Sequence, residues 1–309
     1  MKSIEYSEKK INLFIIISLI VHLNASLFSI GSYNPDEHFC ILEYVNTKFG
    51  FDAEPCFKQD RIRSWFQPFV YYLISKILIV FNITDSFSWA FFYRLFSSIL
   101  GWLAIVLTIK NNTSIFSTII TRNIFIYSSI FFWFFPFLHA RTSAENFGTS
   151  FLLISISILL YLIHNKIHHR MKFLFLAGIV LGLSFISRYQ IGIMILFFLI
   201  WASIYKKFSF KELALITLGI IVTILFEIII NLWGYKHGTY PWGPFNTLYI
   251  NGRVLTVTNV ENPMSVMFVK FIQNFPYLNY FYYMIFVAEQ TAEKIKAPWW
   301  YYSTLITNK

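Results

Sequence analysis

Long apolar segments recur along this chain and leave room for little else. They lie at about residues 11–30, 67–81, 89–109, 114–138, 148–163, 173–187, 191–205, 213–232 and 264–288. A straight transmembrane helix needs roughly 20 apolar residues, so several of these segments are short for a full crossing. Because a bilayer admits only structures that satisfy their own backbone hydrogen bonds, the pattern predicts an all-α, polytopic membrane protein with about eight or nine transmembrane helices.

The composition agrees with a chain that lies in a membrane. Of its 309 residues, 57% are hydrophobic and only 13% are charged, whereas soluble domains average about 25% charged residues. The 36 Phe, 19 Tyr and 9 Trp suit rings that lie against membrane lipids and anchor helices at the interface. The net charge of +10 comes from short basic loops, so it does not indicate nucleic-acid binding. We expect a single transmembrane domain over residues 1–309.

The basic residues predict how the helices are oriented. Lys2, Lys9 and Lys10 precede the first apolar segment, which is too long for a typical signal peptide, and we interpret it as a retained signal anchor with a cytosolic N-terminus. The loops 164–172 and 206–212 are basic and are predicted to be cytoplasmic.

By alternation, three other regions are predicted to be exoplasmic together with the first loop, residues 31–66. They are the turns 139–145 and 187–190 and the late loop 233–263.

One conflict follows from this count. Three apolar segments separate the first loop from the turn 139–145, and three crossings would place the two on opposite faces. We expect them on the same face of the membrane, because acids and arginines at one interface can contribute to one site. Either the segment 67–81, which is short and carries Lys76, does not cross fully, or the segment 114–138 consists of two short elements.

The first loop carries the densest chemistry in the chain. Six of the fifteen carboxylates lie in it: Asp36, Glu37, Glu43, Asp52, Glu54 and Asp60. Charge is costly near hydrocarbon, so acids at the end of a membrane helix are a functional hypothesis by default.

Two interpretations of the Asp36–Glu37 pair remain open. After Pro35 the two acids suit the first turn of a helix, where the helix dipole favours negative charge. Alternatively, one carboxylate is a general base that takes a proton from an attacking hydroxyl, and the neighbouring acid raises its proton affinity.

Four arginines, Arg61, Arg63, Arg141 and Arg188, form a second candidate set. Arginine binds phosphate through a planar, two-toothed fork and keeps its charge near lipid. The alternative is that these side chains reach for the lipid headgroups. Glu145 follows Arg141 by four residues and is expected to be its helical ion-pair partner.

Glu227 and the two cysteines each leave alternatives open. Glu227 lies inside an apolar segment and needs a partner, for which Asn231, Lys236 and His237 are the candidates. Cys40 and Cys56 are either joined in a disulfide or are two unpaired apolar residues.

Neither a metal ion nor a cofactor is predicted. His164, His168 and His169 lie in a basic loop without an accompanying carboxylate or cysteine, so a loop that faces lipid headgroups is favoured over a metal site.

The late segment 231–253 is rich in Gly, Pro, Trp, Tyr and Asn. Stacked aromatic rings with amide donors suit a sugar ring, and an interfacial aromatic belt has the same composition.

Six short motifs occur in order along the chain. They are Asn34–Phe39 with Glu43, Ile62–Ser64 with Pro68, Arg141–Glu145, Phe185–Gln190, Trp233–Tyr235 with Asn246 and Asn251, and Pro298–Tyr302. Each of them, and their order, resembles the motifs of the Alg9-like and GPI mannosyltransferases, which are glycosyltransferase family 22 of the GT-C superfamily.

The resemblance implies a GT-C-type enzyme of the endoplasmic reticulum or of a bacterial inner membrane. Such an enzyme transfers mannose from a polyprenyl-phosphate carrier, which is dolichol phosphate in eukaryotes, to a lipid-linked glycan with inversion. Carried over by position, Asp36 is the base and Glu37 orients it or the acceptor. The expected substrate-binding residues are Glu43, Arg63, Arg141, Arg188, Gln190, Tyr235, Asn246 and Trp299.

Two departures from the family pattern matter. Asn231 is found where the family has Asp, and the chain ends soon after the last motif, so we expect a short branch or a fragment whose activity is in question. The alternative functions are transfer of another sugar to a bacterial envelope lipid and a non-catalytic membrane scaffold that retains the fold.

Overall fold

The computed structural model describes residues 2–29, 37–51, 63–165, 167–205 and 207–235, and all regular structure within these ranges is helical. The α-helices are α1 Lys2–Phe28, α2 Glu43–Phe49, α3 Phe66–Val80, α4 Ser86–Asn112, α5 Ile119–Phe131, α6 Phe135–His139, α7 Ala144–His164, α8 Arg170–Ser187, α9 Ile191–Ile204 and α10 Phe210–Tyr235. A π-helix, His38–Leu42, leads directly into α2, and a short 3₁₀ helix, Thr113–Ile115, follows α4.

Five of the described helices are long and apolar enough to cross a membrane. They are α1 from Lys10 onward, α4, α7, α8 and α10, while α3, α5 and α9 are apolar but shorter. The part of the chain that the structure describes is therefore that of an α-helical membrane protein. Of the nine predicted apolar segments, the one at 264–288 lies outside the described residues.

Local sequence explains where several helices begin and end. The Asp85 carboxylate accepts a hydrogen bond from the Ser88 backbone N–H at 2.8 Å and so caps α4. The Ser143 hydroxyl accepts from the Asn146 N–H at 3.2 Å and caps α7 in the same way. Gly50 ends α2 with a φ of 81°, a left-handed conformation that a residue with a Cβ adopts at a cost.

The centre of the bundle is α8 between α7 and α10, held by small residues and backbone acceptors. A Cβ placed on Gly178 of α8 would lie 2.3 Å from the Ile216 carbonyl oxygen of α10, so only glycine permits this approach. On its other side, α8 offers the Ala177 carbonyl to the Ser155 hydroxyl of α7 at 2.7 Å. These contacts align the ends of α7, α8 and α10 that carry the candidate residues.

Helix α4 runs antiparallel to α1. The Arg94 Nε lies 3.3 Å from the Ser26 carbonyl, and the Ser98 hydroxyl donates to the His22 carbonyl at 2.9 Å. Further along, the Ser157 hydroxyl of α7 donates to the Leu107 carbonyl at 3.0 Å. The start of α4 thus lies with the end of α1, and its last turns pack near the middle of α7.

Helix α3 does not cross the bundle. It packs antiparallel to the first half of α4: Tyr71 bonds Ser97, its ring stacks on Tyr93 at 4.6 Å, and Leu78 shares a core cluster with Trp89. No described contact brings α3 to the last turns of α4. The segment 67–81 is therefore the short element that resolves the conflict in the count.

Helices α5 and α6 lead the chain back along α4. Ile126 and Ile130 of α5 pack against Ile109 in the second half of α4, and His139 at the end of α6 packs on Gly101. Ala144, the first residue of α7, packs against the cluster of Trp89 and Tyr93 in the first half of α4, so the chain returns to the end of the bundle where α4 begins. Glu37 of the first loop lies at that end with Arg141 of the turn 139–145, as expected from their chemistry.

This topology makes a prediction about labelling from one side of the membrane. Cysteines introduced in exposed positions as Phe51→Cys and Thr84→Cys should react alike with a membrane-impermeant maleimide in sealed vesicles, because both positions flank the same end of α3. His168→Cys, in the loop between α7 and α8, should show the opposite accessibility. If Thr84→Cys is labelled together with His168→Cys, α3 crosses the membrane and this topology is wrong.

Candidate functional site

A groove of about 570 Å³ opens at the shared end of the bundle and continues along its side. Its polar end contains Glu37, Arg141, Glu145 and Asn146. Its walls are apolar and come from four helices: Ala104, Phe135, Leu138, Leu152, Leu153, Ile156 and Met194. The groove can therefore hold a molecule with a polar head and a hydrocarbon tail.

Glu37 lies just before the π-helix and is almost fully buried, with 3% of its surface exposed. Its carboxylate interacts electrostatically with Arg94 of α4 and with Tyr71 of α3. π-helical turns are rare and occur often at functional sites. The acid thus lies at the polar end of the groove, near α3 and α4.

Arg141 is also buried, with 8% exposed, and its guanidinium lies 4.3 Å from the centre of the Phe137 ring. Asn146 holds this turn in place, since its side-chain amide donates to the Arg141 carbonyl at 2.7 Å and to the His139 carbonyl at 3.1 Å. A buried guanidinium at the end of an apolar groove can bind an anionic headgroup through charge-assisted hydrogen bonds.

A hydrogen-bond chain fastens α3 to this turn. Gln67 Nε2 donates to the Thr142 carbonyl at 2.8 Å and to the Tyr71 hydroxyl at 3.0 Å. The Tyr71 hydroxyl also forms a hydrogen bond with Ser97 Oγ, 2.7 Å away. Burial raises the pKa of the Tyr71 phenol, so the phenol remains protonated throughout the ordinary pH range.

A second buried network ties α10 to the 187–190 turn and to the start of α3. Glu227, fully buried, accepts from the Tyr189 hydroxyl and from Asn231 Nδ2. Asn231 Oδ1 accepts from the Trp65 backbone N–H at 2.8 Å. Burial, followed by the neighbouring Glu227 carboxylate, raises the pKa of Tyr189 well above its usual range. Asn231 is confirmed as a partner of Glu227, while Tyr189 was not predicted; Lys236 and His237 lie outside the described residues.

A small cavity of about 20 Å³ lies beside the groove, between Cys40, Arg63, Ser64 and Ser187. It has room for about one water molecule among polar groups. The Tyr235 hydroxyl donates to the Arg63 carbonyl at 2.7 Å, so the end of α10 holds the chain that enters α3.

The structure brings most of the predicted site residues to one end of the bundle. Glu37 and Arg141 share the groove, and Arg63 and Tyr235 lie beside it. Glu43 bonds His38 at 3.0 Å, and Gln190 is exposed at the start of α9. Asp36, Asn246 and Trp299 lie outside the described residues.

The expected ion pair between Glu145 and Arg141 needs correction. The Glu145 carboxylate binds Arg188 Nη2 at 2.7 Å, so the pair joins the start of α7 to the turn after α8. The i,i+4 rule favours a neighbour on the same helix, but Arg141 lies before the first turn of α7 and is not helical.

The two cysteine alternatives are also decided in part. Cys40 is disulfide-bonded, so the interpretation as an unpaired apolar residue is wrong for this cysteine. Cys56 lies outside the described residues.

Several polar residues in and around the groove were not predicted from the sequence. Arg94 was overlooked although a lone charge inside the apolar segment 89–109 is a signal of function. Asn146 and Gln67 gave no comparable signal, because their roles depend on contacts with backbone carbonyls distant in sequence.

Comparison of the chain with protein-family models, with curated proteins and with solved structures gave no match. The site is therefore interpreted from its own geometry.

The Asn231 network generates a stability prediction. Asn231→Leu keeps the side-chain size but leaves the Trp65 N–H buried without its acceptor, which should cost about 1–3 kcal/mol of stability. The melting temperature of the purified protein should fall. Leu232→Ala, at a half-exposed position on the same helix, is the matched control, and equal melting temperatures for the two variants would contradict the assigned role of Asn231.

Proposed function

We propose that this protein is a GT-C-type membrane glycosyltransferase that transfers mannose from a polyprenyl-phosphate carrier to a lipid-linked glycan with inversion. The observation that carries the proposal is the apolar groove, which has the buried Glu37 and the buried Arg141 at one end. The order of motifs that resembles family 22 supports the same chemistry.

The groove suits a carrier lipid in shape and in polarity. Leu152, Leu153 and Ile156 follow one face of α7 away from the polar end, and Met194 of α9 lines the same wall. A polyprenyl chain is apolar along its whole length, so it gains by leaving water for such a wall, and its phosphate would then lie near Arg141.

The reaction needs one base and a stable leaving group. The acceptor hydroxyl attacks the anomeric carbon on the face opposite the phosphate, the new C–O bond forms, and the bond from that carbon to the phosphate oxygen breaks. Asp36, next to the buried Glu37, takes the hydroxyl proton, and polyprenyl phosphate leaves with the electron pair. Glu37 orients Asp36 or the acceptor.

Arginine stabilises the phosphate as its negative charge grows. Arg141 is the first candidate for this role because it lines the groove. Arg188 is the second candidate, because it forms an ion pair with Glu145, which also lines the groove. Arg63 lies beside the neighbouring small cavity and, like Arg188, is a further candidate contact for the phosphate. The membrane is that of the endoplasmic reticulum or a bacterial inner membrane.

The base is tested by Asp36→Asn. Transfer from radiolabelled polyprenyl-phosphate-mannose to a panel of lipid-linked acceptors should fall about 100- to 10,000-fold, because an amide cannot take the proton. Asp85→Asn is the matched control, since Asn caps a helix as well as Asp does and this exposed turn is outside the groove. Transfer at the parent rate by Asp36→Asn would place the base elsewhere.

The phosphate contact is tested by Arg141→Gln. Losing a charge-assisted bond should weaken polyprenyl phosphate binding by roughly tenfold to 100-fold, measured with the purified protein in nanodiscs. Arg122→Gln in α5 removes the same charge away from the groove and should leave the affinity unchanged. Equal affinities for the two variants would show that the phosphate does not lie at Arg141.

A further inference from the structure

Two histidines from distant parts of the chain meet in the wall of the groove. His22 of α1 is fully buried, and its Nε2 lies 3.0 Å from Nδ1 of His139 at the end of α6. The two rings stack with their centres 5.3 Å apart. His139 lines the groove, and Asn146 binds its backbone carbonyl.

The hydrogen bonds of His22 determine where its proton lies. Its Nδ1 is 2.8 Å from the Ser18 carbonyl, and a carbonyl can only accept, so His22 Nδ1 carries a hydrogen. A neutral imidazole has one N–H, and a charged ring is costly in the apolar interior, so His22 Nε2 offers a lone pair.

The proton of His139 follows from that of His22. Since His22 Nε2 is an acceptor, His139 Nδ1 donates to it, and the lone pair of His139 is left on Nε2. No group among the described residues donates to this Nε2. The Ser18 carbonyl therefore determines, through His22, which tautomer of His139 lines the groove.

The ring of His139 is also held against rotation. Phe135 stacks on it with an angle of 9° between the planes. A Cβ on Gly101 would lie 2.3 Å from the His139 ring, so the ring occupies the space that this glycine leaves.

We propose that His139 Nε2 accepts a hydrogen bond from a hydroxyl of the sugar on the carrier lipid, with His22 as the positioning residue that fixes its tautomer. The inference rests on the proposed function and adds a contact that distinguishes the sugar-bearing lipid from the bare carrier.

The first experiment measures the tautomers in the unmodified protein. In a sample labelled with ¹⁵N-histidine, both residues should show hydrogen on Nδ1 and a lone pair on Nε2, with His22→Phe used to assign the signals. His22→Phe should also release His139 from this tautomer. Hydrogen on Nε2 of His139 in the parent protein, or on both nitrogens of either ring, would overturn the proposal.

The second experiment compares two lipids. Binding of polyprenyl-phosphate-mannose and of polyprenyl phosphate is measured for the parent, for His139→Phe and for the control His164→Phe at the far end of α7. His139→Phe keeps a ring against Phe135 and Gly101, and it should weaken the mannose-bearing lipid roughly five- to tenfold while leaving polyprenyl phosphate unchanged.

The outcomes separate the two claims. If the parent binds polyprenyl phosphate but His139→Phe changes both affinities equally or neither, the histidine contact is wrong and the carrier site stands. If the parent binds neither lipid, the proposed function fails and the inference fails with it.

Discussion

The start of α3 is held by two hydrogen bonds to parts of the chain that lie far away in sequence, and the site depends on both. Asn231 Oδ1 accepts the Trp65 N–H, and Gln67 Nε2 donates to the Thr142 carbonyl. In a bilayer these groups have no water to bind, so each must find its partner inside the protein. The consequence is that α3 begins beside the ends of α7 and α10 and never crosses the bundle.

That placement of α3 brings opposite charges together around one groove. Glu37 comes from the segment before α3, Arg94 from α4 and Arg141 from the turn before α7. Buried charges are stable only when they meet one another, so the same contacts that lower the cost of burial also build a polar end. The apolar wall of the groove needs no buried charge pairs. Its side chains are of the same kind as those that face lipid elsewhere on the bundle, and such side chains suit a hydrocarbon tail.

The sequence predicted the helical class of the described residues, and it predicted that the segment with Glu37 and the turn with Arg141 share one end of the bundle. These follow from hydropathy and from the cost of charge near lipid, both of which are local properties of the chain. The partner of Glu145 and the roles of Gln67 and Asn146 were beyond reach, since they depend on how helices distant in sequence pack. His22 and His139 are 117 positions apart, and nothing in the spacing indicates that they meet.

The central claim is that the groove holds a carrier lipid with its phosphate at the polar end. A structure of the protein in nanodiscs with polyprenyl phosphate tests this most directly. We predict density for the phosphate within hydrogen-bond distance of Arg141, and for the hydrocarbon chain against Leu152, Ile156 and Met194. A lipid bound elsewhere on the bundle, with the groove filled only by water or detergent, would contradict it.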